Sequence, residues 1–103
     1  MFAQSGLSLP LFRRGMRSVA DLPSHDVLAS TLAAAAVAHE EYERAVLKGV
    51  VDANWAGFYA AYVLGRLGDF VPASRLAVLL SEVEDSDDWD ETAADHVLMK
   101  LRS

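Results

Sequence analysis

Apolar residues recur at three- and four-residue spacing through most of this chain, and no stretch shows the strict alternation of a half-buried strand. Leu22-Pro23-Ser24 reads as a stop followed by a helix start. Ser24 is a good cap, and Asp26 stands in the first turn, where the helix dipole favours negative charge. From there to Lys48 nothing breaks the helix, and Leu28, Leu32, Ala35, His39, Tyr42 and Val46 mark one buried face. Gly49 is the expected terminator. A second helix opens at Asp52 or Asn54 and closes at Gly68. Trp55, Ala56, Phe58, Tyr59, Tyr62, Val63, Leu64 and Leu67 make it apolar almost all round, as in a central or interface helix. Val71-Pro72 starts a third, with Pro72 expected at its first helical position and Leu76, Val78, Leu79, Leu80 and Val83 on its apolar side. Asp88 and Glu91 have the spacing of a capping box for a fourth, which runs to about Leu101 with Ala94, Val97, Leu98 and Leu101 inward. Short connections between apolar-faced helices favour antiparallel neighbours. The expected fold is all-α: a small antiparallel bundle of about four helices, in one domain over residues 23–103.

The second helix is the most informative segment. It holds four of the nine aromatic residues, and it carries Gly57, Ala61 and Gly65 at four-residue spacing, a bare stripe that lets another backbone come close. A surface this apolar in a chain of 103 residues is most simply covered by a second copy, so a homodimer or higher homo-oligomer is expected through Gly57, Ala61 and Gly65.

Composition narrows the functional classes. The absence of cysteine excludes disulfides, thiolate metal sites and cysteine nucleophiles, and fits a cytoplasmic location. A net charge of −6 argues against nucleic acid and anionic membrane as partners. No run approaches the roughly 20 apolar residues of a membrane span. Charge is unevenly spread. Arg13, Arg14 and Arg17 lie in residues 1–20 without a single acid, whereas residues 82–91 hold seven acids. Residues 1–22 therefore read as a mobile basic arm, able to dock an acidic partner or the chain's own acidic corner. Their apolar part precedes the arginines, the reverse of a signal peptide.

Candidate chemistry is sparse. His39 and Glu43 are one turn apart, and His96 beside Asp95 is able to complete a divalent-metal site from the last helix, with Tyr59 orienting. Glu43 stands where a His-Glu-x-x-His motif needs its second histidine, so the motif itself is absent. The simpler reading is a histidine at the edge of an apolar face beside solvated glutamates. Trp55, Tyr59 and Tyr62 are able to line a small-molecule pocket, or equally to fill a core or an interface. The acidic run from Asp85 fails as a calcium loop, because Asp90 and His96 stand where glycine and glutamate are required. The third helix carries a single cation, Arg75, beside Glu82 and Glu84, which argues against a DNA-reading element. No serine lies in a Gly-x-Ser-x-Gly elbow, and no glycine loop cradles phosphate. No cofactor is implied, and enzymatic activity has no support.

The string Asp52-x-x-Trp55-x-x-Phe58-Tyr59-Ala60, preceded by His39-x-x-Tyr42-Glu43, resembles a pattern in small uncharacterised bacterial helical proteins. Those read Asp-x-x-Trp-x-x-Trp-Tyr-Ala, and here Phe58 replaces the second tryptophan. The resemblance covers about residues 39–67. It implies an all-helical fold and a concerted role for Asp52, Trp55 and Tyr59, and no activity. The leading expectation is a non-enzymatic domain acting through self-association or protein–protein contact. The alternative is a small-molecule or metal site between helices one, two and four.

Overall fold

Each helix buries one stripe, and the four stripes meet in a single core. The computed structural model of the chain describes residues 21–103. Its elements are α1 (His25–Ala45), α2 (Trp55–Leu67), α3 (Ala73–Ser81) and α4 (Trp89–Arg102), with no strand among the described residues. Helix α1 packs on α2 and α4, α2 on α3, and α3 on α4, which closes a ring. Leu28 and Leu32 from α1, Val63 from α2, Leu76 and Leu80 from α3, and Val97 and Leu98 from α4 are at most 2% exposed. Each such side chain stabilises the fold by about 1.5–3 kcal/mol on burial. Among the described residues no helix is long and apolar enough to cross a membrane. Most of the expected arm, residues 1–20, lies outside the described residues.

The starts and stops follow local chemistry with instructive departures. Ser24 Oγ accepts from Val27 N–H at 3.2 Å and caps α1 as expected. Helix α1 ends at Ala45, earlier than Gly49 suggests. Val46 and Leu47 both turn their N–H groups onto Tyr42 O, and Gly49 N–H reaches back to Glu43 O at 2.9 Å. Lys48 (φ 56°) and Gly49 (φ 86°) then reverse the chain in left-handed conformation. Only glycine adopts that geometry without cost. Gly68 (φ 90°) ends α2 as expected.

Two caps differ. The N-cap of α2 by position is Asn54, and no side chain caps it. Asp52 instead accepts from Asn54 N–H at 2.9 Å one step earlier. At α4 the Asp88–Glu91 capping box does not form. Asp88 sits at φ −110°, ψ 33°, and its carboxylate accepts from Ser86 Oγ rather than from a helix N–H. Pro72 is the N-cap residue of α3, one position before the expected one.

Several positions read as inward differ in degree or direction. Val78 is 56% exposed because the buried stripe of α3 is narrower than its run of apolar residues, and Val46 is 58% exposed because α1 ends one residue before it. Tyr42, Val83 and Leu101 are only partly buried.

Candidate functional site

His39, Tyr42, Glu43, Asp52, Phe58 and Tyr59 form one physical cluster where α1 hands over to α2. His39 reaches the protein interior on the last full turns of α1 and is 7% exposed. Its Nε2–H donates to Asp52 Oδ2 at 2.9 Å. A carboxylate only accepts, so the proton of that bond belongs to Nε2, and in the neutral ring Nδ1 keeps its lone pair. Glu43 Oε2 accepts from Asp52 N–H at 2.8 Å. The loop between the helices is thus tied to α1 through both the backbone and the side chain of Asp52. The bonds from His39 and from Asn54 N–H hold the Asp52 carboxyl below its usual range. The His39 ring lies edge-on to Phe58 at 4.9 Å and near Tyr59 at 5.4 Å, and Tyr42 covers Phe58 at 5.3 Å.

Beside this lock three rings close a triangle. Trp55, Tyr59 and Trp89 meet pairwise edge-to-face, with centroids 5.4, 5.8 and 5.5 Å apart. Such pairs contribute about 0.5–1.5 kcal/mol beyond their buried area. Trp89 is the first residue of α4, and its indole N–H donates to Val83 O at 3.3 Å, which pins α4 to the end of α3.

The triangle is one wall of an open cleft of about 670 Å³. Leu32, Ala33 and Ala36 of α1, the His39–Asp52–Glu43 lock and the loop Asp85–Asp87 complete it. This is within the size range of small-ligand pockets. Burial raises the Tyr59 phenol above its usual range, and the charges of Glu43 and Asp85 raise it further.

The expected site residues divide. Trp55, Tyr59, His39 and Glu43 all line this cleft. Tyr62 does not. It faces a shallow groove against α1, where Arg66 Nη1 donates to its hydroxyl at 2.6 Å and the guanidinium lies 5.3 Å from its ring centre. His96 does not join His39 and Glu43 either. It pairs with Glu82 Oε1 at 2.9 Å across α3 and α4, and among the described residues no group of three histidine or acidic side chains is placed to hold a metal ion. Asp95, expected beside His96, turns instead to His25, 3.3 Å from its Nε2. Gly57 and Gly65 face outward. A Cβ built on either meets nothing within 4 Å, and Ala61 between them is exposed, so no backbone of the described chain approaches the stripe.

Sequence reasoning missed one member of the site and one pairing within it. Trp89 was legible only as a helix start, and its role arises because α4 begins over the α1–α2 junction. The partnership of His39 with Asp52 spans a helix end and a loop, and periodicity carries no signal for it. His39, Glu43, Asp52, Trp55 and Tyr59, which the sequence displays within 21 residues, line the cleft together.

Compared with protein-family models, curated proteins and solved structures, the chain matches none.

Proposed function

We propose that this protein is a small-molecule binding domain whose ligand sits in the cleft between α1, α2 and α4. The observation that carries the reading is the construction of the cleft. An aromatic wall of Trp55, Tyr59 and Trp89 stands beside a hydrogen-bonded lock of His39, Asp52 and Glu43, around a volume suited to one small molecule. Rigid walls lower the ordering cost of binding. The metal version of this reading is weakened by the position of His96 on the α3–α4 edge.

The protein's only two tryptophans, Trp55 and Trp89, both line the cleft. Their fluorescence is therefore a direct readout. A thermal-shift screen with cationic, neutral and anionic small molecules is expected to yield hits that also change tryptophan emission and add mass in a native mass spectrum. A screen in which no class moves either readout would sink the proposal.

A second reading, self-association, is favoured by the stripe itself. Gly57, Ala61 and Gly65 form an exposed line with open space above both glycines, room for the close approach of another helix. A two-fold dimer is the simplest assembly to use it. Sedimentation that gives a monomer at every concentration removes this reading.

A further inference from the structure

We infer that the ligand of this cleft is an organic amine, an ammonium group on an apolar body, bound with its charge toward the carboxylates and its body against the aromatic wall. The inference rests on the binding reading above and adds the chemical class. Glu43, Asp52, Asp85, Asp87 and Asp90 all line the cleft, and among the described residues no lysine or arginine does. A cleft lined by one sign of charge with apolar walls concentrates the opposite charge.

A second observation is independent of that charge. His39, 7% exposed, lines the cleft with one ring nitrogen committed to Asp52, and among the described residues its Nδ1 has no hydrogen-bond partner. In the neutral ring with its proton on Nε2, that nitrogen is an acceptor in need of a donor. An ammonium N–H supplies one, whereas a quaternary ammonium or a carboxylate does not. Buried polar groups left unpaired cost stability, so such an acceptor favours a ligand that satisfies it.

The aromatic geometry sets where the charge goes. With centroids 5.4 to 5.8 Å apart, Trp55, Tyr59 and Trp89 pack against one another and leave no space for a cation between them. They act as an apolar wall, and charge selection falls to the carboxylates. A divalent metal ion is a poorer fit. The two carboxylates nearest His39 already accept hydrogen bonds, and among the described residues no three ligands converge.

The test titrates three probes of similar shape into the full chain at neutral pH and follows tryptophan emission: phenethylamine, 2-phenylethanol and 3-phenylpropionate. Phenethylamine is expected to saturate. Phenylethanol should bind roughly tenfold more weakly or worse, as the loss of one charge-assisted hydrogen bond implies. Phenylpropionate should not saturate. The double variant Asp85→Asn/Asp87→Asn changes only exposed side chains and should weaken phenethylamine about fivefold, with a smaller dependence on salt.

Phenylethanol or phenylpropionate binding as tightly as phenethylamine overturns the amine inference and leaves the binding reading standing. The same holds if phenethylamine fails to saturate while a neutral or anionic compound of the wider screen binds. Silence from all three probes and from the screen removes both.

Discussion

Replacing Gly57 and Gly65 by alanine should stabilise the isolated chain, a result opposite to that expected for glycines packed inside a protein. Both lie within α2, neither has a positive φ, and a methyl group added at either meets nothing within 4 Å. The only effect within one chain is then the backbone entropy that glycine loses in a helix. That penalty is about 0.5–1 kcal/mol relative to alanine, less toward the ends, and each glycine is the third residue from an end of α2. The two sites stand about 12 Å apart along the axis, so their effects should add, to at most about 1–2 kcal/mol. For a domain of this size that raises Tm by roughly 5–15 °C.

Far-UV circular dichroism of thermal and urea unfolding, at low protein concentration, measures it. The urea midpoint should rise with an unchanged slope. A lower Tm at every concentration would refute the reasoning, because some part of the chain would then have to press on the stripe. A gain at low concentration that turns into a loss at high concentration is the signature of a second copy seated there, since stability tied to association depends on concentration.

Further outcomes follow from the same contacts. Trp89→Phe keeps an aromatic ring, though a smaller one, and removes the bond to Val83 O; it should cost at least about 0.5–1.5 kcal/mol in denaturant unfolding. Trp89→Ala also removes both edge-to-face ring contacts of this partly buried side chain and should cost more, about 2–3 kcal/mol. Gly49→Ala should destabilise by about 1 kcal/mol although the space around it is empty, because φ of 86° is strained for any side chain.

Two titrations have opposite signs. His25 is raised above 6.5, first by its hydrogen bond to Asp26 and then by Glu91 and Asp95 of α4. Its contribution is complete below that value and fades as pH rises through the folded pKa. His25→Ala should remove this part of the pH dependence. Asp52 is lowered below 3.8, chiefly by His39. Its contribution is complete above that value and is lost as pH falls through the folded pKa. Proton NMR of the His25 ring and carbon NMR of the Asp52 carboxyl check both, and unshifted values would contradict the contacts.

The sequence by itself determined the all-helical class, the number of helices and most of their ends. Those features depend on neighbours within about four residues. Ser24 accepts from Val27, Gly68 tolerates a positive φ, Pro72 stands before α3, and Leu28, Leu32, Leu76 and Leu80 repeat with the period of the helix. Even locally the reading was incomplete at Asp88 and at Lys48-Gly49, where competing hydrogen bonds redirected the chain.

What only the tertiary structure decided is which faces meet. A helix that is apolar almost all round does not announce its own rotation, and packing left Gly57, Ala61 and Gly65 outward and Val63 inward. The separation of His96 from His39, the turn of Asp95 toward His25, and the placing of Trp89 against Trp55 and Tyr59 depend on how one helix lies across another. Those arrangements are set by non-local contacts among side chains whose identities the sequence displays and whose distances it does not.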